Sequence, residues 1–215
     1  MKFTKFSSFA LPILAAATLT LSACGGGSSG SPSSGGGSTV TPPVTLTVTH
    51  TVTMTTSMGV IVLGLDRTHA PKTVDNFLAY VNSGFYSGTL FHRVISNFVV
   101  QGGGFTRVGG VLTQKTTNAA IALESNTGLQ NLRGTIAMAR TDAPDTATSQ
   151  FYINVVDNAS LNYASASNPG YAVFGKVTSG LDVLDAIKAV ATGTQGGMGD
   201  VPVTDVTVTS IVVTP

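Results

Sequence analysis

From 44 to 54 the chain alternates without a fault. Val44, Leu46, Val48, His50, Val52 and Met54 fall on one side, and every residue between them is threonine. Successive side chains of an extended strand point to opposite faces, so this period of two, built on β-branched residues, predicts a strand with one apolar face. A helix would scatter the same residues around its circumference. A second strand is expected over 60–65, after the turn Ser57-Met58-Gly59, making a hairpin. At the other end, 203–213 alternates again.

Helical periodicity is confined to two places. Over 70–84, Val74, Phe77, Leu78 and Val81 form one apolar stripe, with Pro71 in the first turn and Gly84 at the C-terminal cap. Over 181–190, Leu184, Ile187 and Val190 share a side. Short strands and Gly- or Asn-rich loops fill the rest. Two helices among many short strands predict a mainly β domain over 44–215, a barrel closed at its ends. Periodicity alone does not give the strand count.

The first 43 residues read differently. Lys2 and Lys5 precede an apolar run, 9–21, that is broken by Pro12 and too short to span a bilayer. It ends in Leu21-Ser22-Ala23-Cys24, which resembles a bacterial lipoprotein signal, with 1–23 removed and Cys24 carrying the lipid. The competing reading is an ordinary secretory signal followed by a stray cysteine. The lipoprotein reading is preferred because the only cysteine of the chain stands where the motif needs it. Residues 24–43 are almost all Gly, Ser, Thr and Pro, a flexible tether with a reach of a few tens of ångströms, growing as about 5–6 Å times the square root of its length. Gly25 after the cysteine, with no aspartate there, resembles outer-membrane sorting. These features place the protein on a lipid anchor in the bacterial cell envelope, facing the periplasm.

Charge excludes some partners. Without Lys2 and Lys5 the chain holds nine basic against ten acidic residues, and no Lys/Arg run that would track a nucleic acid. One cysteine excludes an intrachain disulfide, and His50, His69 and His92 form no spaced ligand set, so no metal is expected. No heptad repeat is present, and a monomer is the default.

The stretch FHRVISNFVVQGGGFT (91–106) carries the chemistry. Arg93 and Gln101 stand among Phe91, Val94, Ile95, Phe98, Val99 and Val100. Either the arginine snorkels past apolar neighbours to water, or the segment lines an apolar concavity with a few fixed donors. Two further segments tip the balance: RGTIAMAR (133–140) and SQFYI (149–153). In order and spacing the three resemble the signature segments of the cyclophilin family of peptidyl-prolyl cis–trans isomerases, nearest to its bacterial periplasmic branch. The likeness extends through VNSGFYSGTLFHRV and NPGYAVFGKVTSGLDVL and covers the chain from about residue 51 onward.

That resemblance implies an eight-stranded antiparallel barrel capped by two helices, proline-containing polypeptides as substrates, and a reaction that needs no cofactor. It puts Arg93 at the catalytic position. Phe98, Val99, Tyr152 and Leu161 match the positions that hold the proline ring. Gln101 matches the residue that bonds the substrate backbone and braces the arginine, and Gln150 a second polar wall. Ala139 and Arg140 match the stretch that pairs with the peptide main chain. Tyr171 stands where many members carry histidine. Four departures are visible: Ser96-Asn97 in place of Pro-Gly, Val99 in place of a longer apolar residue, Ser160 where some members carry Trp or Phe, and Tyr152 in place of Phe, whose extra hydroxyl must find a partner.

Other classes remain to be weighed. The same groove could capture proline-containing segments without turnover, as a chaperone or contact module; retention of Arg93 favours the enzyme. A small-ligand barrel is disfavoured, because the polar signature suits a surface groove better than a lumen. A hydrolase built on Ser149, His92 and Asp66 is disfavoured, because no G-x-S-x-G elbow surrounds a serine.

Overall fold

The computed structural model of the chain describes residues 44–214. The signal, the tether and Cys24 lie outside them.

The hairpin forms as β1 (His50–Thr56) and β2 (Gly59–Leu65). The alternation over 44–54 is only half strand, however. Residues 44–49 run extended as a strap across β2, with Val48 45% exposed instead of buried. The backbone bonds explain this. The Thr47 N–H goes to the carboxylate of buried Asp66 (2.8 Å), and only the Thr49 N–H reaches a strand carbonyl, that of Leu65 (2.8 Å). The strap lies so close to β2 that a Cβ on Gly64 would sit 2.7 Å from Val48 Cγ2.

Helix α1 (Pro71–Asn82) buries Val74, Phe77, Tyr80 and Val81, with Leu78 at the margin. Its N-terminus is closed from a distance. The Glu124 carboxylate accepts the N–H groups of Lys72 (3.1 Å) and Thr73 (2.8 Å), the donors a helix start leaves open. Then follow β3 (Thr89–Val94), β4 (Val99–Gly102), the hairpin of β5 (Phe105–Val108) and β6 (Val111–Gln114), β7 (Thr135–Met138), β8 (Phe151–Asn154) and β9 (Val173–Ser179). Helix α2 (Leu181–Lys188) buries Leu184 and Ile187. A second hairpin, β10 (Thr192–Gln195) and β11 (Met198–Pro202), precedes β12 (Thr207–Thr214), which starts four residues later than its alternation predicts.

Eight strands close into an antiparallel barrel in the order β1-β12-β3-β4-β8-β7-β9-β2. The hairpins β5–β6 and β10–β11 stand outside it. Side chains fill the interior: Met54, Ile61, Leu63, Phe91, Ile136, Phe151 and Phe174 are all essentially inaccessible. A ligand lumen is thereby excluded. A second, smaller apolar cluster lies on the outer face, around Val99, Ala137, Tyr152 and Val173, and the strap residues Val44 and Leu46 pack against it.

Candidate active site

Strand β3 sets the key side chain through a fault in its pairing. Phe91 pairs with Gly102, yet Arg93 pairs with Gln101 and Val94 with Val100, so β3 holds one extra residue between Phe91 and Arg93. Such a bulge reverses the alternation beyond it. Phe91 and Val94, three apart, therefore both enter the core, and Arg93 points outward with 41% of its side chain exposed. The spacing of apolar residues in Phe91-His92-Arg93-Val94 is the sequence signal of that bulge. The turn after β3, which carries Ser96-Asn97, is closed by Phe98 N–H to Ile95 O (3.0 Å) and Ile95 N–H to Val99 O (2.9 Å).

Register brings the rest together. Gln101 on β4 pairs with Tyr152 on β8, and Tyr152 with Ala137 on β7. Arg93, Phe98, Val99, Gln101, Ala139, Arg140, Tyr152, Leu161 and Tyr171 line one depression of about 120 Å³. A site of roughly 150 Å³ accommodates benzene, so this one suits a five-membered ring entered from the surface. Gln150 lines the adjoining cleft of about 300 Å³, which shares Gln101, Ala139 and Arg140 with the first. Larger clefts of about 350 and 460 Å³ occur elsewhere, but the arginine of one is committed to Asp185 (2.8 and 2.9 Å) and the carboxylate of the other to Arg107.

The polar side is a relay. Gln101 Nε2 donates to Gln150 Oε1 (3.0 Å), and Arg93 Nη1 reaches Gln101 Oε1 at 3.5 Å, too long for a strong bond. Arg140 is a clamp: it donates to the carbonyls of Gly170 (2.8 and 3.0 Å), Thr141 and Asp142, and its guanidinium covers the Tyr171 ring at 4.5 Å. The Ala139 N–H is engaged by Gln150 O (2.9 Å), so main-chain pairing with a peptide falls to other backbone groups of this stretch.

The floor of the depression rests on four asparagines that sequence reasoning missed. Asn131 is 1% exposed. Its Oδ1 accepts Tyr152 Oη (2.8 Å) and Asn154 Nδ2 (3.2 Å), and its Nδ2 donates to Leu161 O (3.0 Å) and Asn162 Oδ1 (3.1 Å). Asn158 joins Asn154 Oδ1 (2.7 Å) to Phe98 O (2.9 Å). Phe98, Tyr152 and Leu161 are thus held by one buried network, and the extra hydroxyl of Tyr152 finds its partner there. Burial pushes the Tyr152 phenol well above its ordinary range. In a linear sequence these asparagines look like loop residues; only the convergence of 131, 154, 158 and 162 reveals them.

No hydrolytic triad exists among the described residues. Asp66 is bonded to His69 (2.6 Å), while Ser149 Oγ and His92 Nδ1 are buried with no partner. Burial, with the charge of Arg93 acting the same way, pushes the His92 imidazole down to about 4, so it is neutral at physiological pH.

The family model for "Cyclophilin type peptidyl-prolyl cis-trans isomerase/CLD" matches residues 51–213. A peptidyl-prolyl cis-trans isomerase of Streptomyces antibioticus is 57% identical over 162 residues, covering 74% of this chain and 96% of its own. Peptidyl-prolyl cis-trans isomerase B of Escherichia coli is 51% identical over 164 residues, covering 75% and 98%. Among solved structures, a cyclophilin type isomerase of Cryptosporidium parvum, crystallised in the presence of the dipeptide Ala-Pro, superimposes with a TM-score of 0.63 at 26% identity, covering 77% of this chain and 99% of that one.

Proposed function

The chain belongs to the cyclophilin-type peptidyl-prolyl cis–trans isomerase family, and from that premise we propose that it turns Xaa-Pro bonds of exported polypeptides by stabilising the twisted amide from Arg93. The observation that carries this is the meeting of one arginine with an apolar, ring-sized depression. Amide resonance puts the barrier at about 18–20 kcal/mol, and uncatalysed exchange takes tens to hundreds of seconds. Rotation breaks no bond. What changes is the nitrogen, which loses conjugation and regains a lone pair as the bond twists. A thousandfold to millionfold acceleration needs about 4–8 kcal/mol directed at that state.

Each group has a part in the proposal. Phe98, Val99, Tyr152 and Leu161 hold the ring, so that the acyl side of the bond does the turning. The planar fork of Arg93 donates to the prolyl carbonyl and toward the nitrogen as its lone pair appears. Gln101 binds the peptide main chain while staying tied to Gln150. Ala139, Arg140 and Tyr171 form the opposite wall, Arg140 through its backbone, since its guanidinium is engaged within the protein.

The test is cis-to-trans exchange of a short Ala-Pro-Phe peptide with the wild type and Arg93→Ala. The variant is expected to lose about 2 kcal/mol or more of transition-state stabilisation, roughly thirtyfold in kcat/KM. Binding of the peptide by both proteins with acceleration by neither would move the function to a proline-peptide-binding module.

The setting is part of the same proposal: lipid on Cys24, a tether over 24–43, and the folded domain held off the membrane on the periplasmic side to assist folding. The order of basic residues, apolar run and lone cysteine supports it. Cys24→Ser is expected to shift the protein from the membrane to the soluble fraction on cell fractionation; unchanged membrane association would count against the anchor.

A further inference from the structure

Arg93 has a second neighbour, outside the depression. Hairpin β10–β11 lies against β3, and Asp200 Oδ2 of β11 stands 3.9 Å from Arg93 Nε. The distance is that of an ion pair without a direct hydrogen bond.

The backbone under Asp200 is unusual. It is the only non-glycine residue with positive φ among the described residues, at 60°. It also sits in a fault: Gly193 pairs with Val201 but Gln195 with Met198, so β11 has one residue more than β10 between those pairs. A bulge re-aims a side chain, and a left-handed backbone costs a residue with a Cβ about 1–2 kcal/mol, which Asp tolerates better than most. Glycines occupy 196, 197 and 199, so glycine at 200 would be the undemanding choice. The chain instead keeps an aspartate in a strained position, turned toward an arginine that a second bulge, in β3, turns outward.

The hairpin is built to hold that carboxylate still. Val201, the next residue, is 1% exposed. Arg107 on β5 forks onto Asp205 (2.5 and 2.6 Å) and also donates to Gln195 Oε1 (3.0 Å), whose Nε2 donates to Pro202 O (3.0 Å). The cation lining the cleft beside Asp200 is Lys188, which is paired with Asp185 at 2.8 Å. Arg93 is therefore the cation Asp200 is left to serve.

We propose that Asp200 is a positioning residue for Arg93: from outside the depression it holds the Nε edge of the guanidinium and leaves the terminal nitrogens for the twisted amide. This rests on the catalytic assignment of Arg93. An arginine carries about 2 kcal/mol of side-chain entropy, and its contact with Gln101 at 3.5 Å is too long to remove it. Asp200 does not line the depression, so its effect falls on kcat and leaves KM in place. The pair is also half in water, with 41% and 50% of the two side chains exposed, so its contribution weakens with salt.

The experiment measures kcat and KM for Ala-Pro-Phe exchange, at low and high salt, on the full chain carrying Asp200→Asn, Asp200→Gly, Asp200→Glu or Arg93→Ala. Asp200→Asn and Asp200→Gly are expected to lower kcat about three- to tenfold at low salt with KM within about twofold. Raising the salt narrows the gap to wild type, and Asp200→Glu recovers most of the loss. Asp200→Gly relieves the left-handed backbone, so its thermal midpoint stays at or above wild type, which separates positioning from folding. Wild-type kcat in Asp200→Asn and Asp200→Gly, with Arg93→Ala inactive, overturns the inference and spares the role of Arg93. A rise in kcat also overturns it, since Asp200 would then be competing with substrate. Full activity in Arg93→Ala removes the catalytic assignment, and this inference with it.

Discussion

The two sides of the depression are built on opposite terms. The floor rests on a buried hydrogen-bonded network. Tyr152 is 4% exposed, and its hydroxyl, the Leu161 carbonyl and the Phe98 carbonyl all end on buried asparagines at 2.8–3.0 Å. The arginine wall is half exposed, and Arg93 reaches its two neighbours at 3.5 and 3.9 Å. A surface that holds a proline ring gains from rigidity, because every immobilised group reduces the ordering cost of binding. A donor that must follow an amide through a rotation is served by loose partners it can leave, and catalytic contacts often tighten only when substrate arrives. Shape is thus fixed in the floor, and the charge is left adjustable within limits that β4 and β11 impose.

The sharpest way to break that contrast is on the floor. Asn131→Ala removes the acceptor of Tyr152 Oη and Asn154 Nδ2, and the donor to Leu161 O, at a site only 1% exposed. Buried polar groups left unpaired cost about 1–3 kcal/mol each, and they share one network here, so a loss of about 3–5 kcal/mol in urea unfolding is expected. KM should rise with it, because Phe98, Tyr152 and Leu161 lose a common support. A loss below about 1 kcal/mol would mean that the network is ornamental and the floor is held by apolar packing alone.

These two sides were unequally legible in the sequence. The residues that would touch a proline ring announce themselves, because Phe98, Val99, Tyr152 and Leu161 sit in segments whose order and spacing carry a family pattern. Arg93 does so too, as a charge inside an apolar run. The barrel follows from alternation in β1, β2 and β12, although the strap over 44–49 shows where alternation misleads: a threonine–valine repeat satisfies a strand, and equally an extended segment in which the Thr47 N–H is taken by the Asp66 carboxylate. What stayed hidden acts through pairing distant in the chain. Both bulges are matters of register between strands. Asn131 and Asn154 are 23 residues apart and meet only once β7 and β8 are side by side. Asp200, on β11 just past the Gly196-Gly197 turn, has the local chemistry of any residue near a hairpin tip, and nothing in its own segment points to Arg93.

The gentlest change tests the adjustable side. Gly104 lies just beyond β4 with a backbone that any residue adopts, and a Cβ there would stand 2.4 Å from Gln150 Cγ and 2.7 Å from its Cδ. The obstacle is a flexible, half-buried side chain that can swing away. At Gly103, by contrast, φ is +82° and the added carbon would meet the Phe151 ring and the Ser149 carbonyl, neither of which can move without opening the barrel. Gly104→Ala is therefore expected to displace Gln150 with little effect on folding, parting Gln150 Oε1 from Gln101 Nε2. Gln101 then loses its outer tie and Arg93 the fixed end of its relay. The loss of one such neutral bond corresponds to about 1 kcal/mol, roughly fivefold in kcat/KM, with unfolding unchanged to within about 0.5 kcal/mol. If kcat/KM stays at the wild-type value while Asp200→Asn lowers it, Arg93 is held from the hairpin alone. If both lower it and the double variant shows no further loss, the two contacts act on the arginine as one unit, and the wall is a clasp closed from both ends.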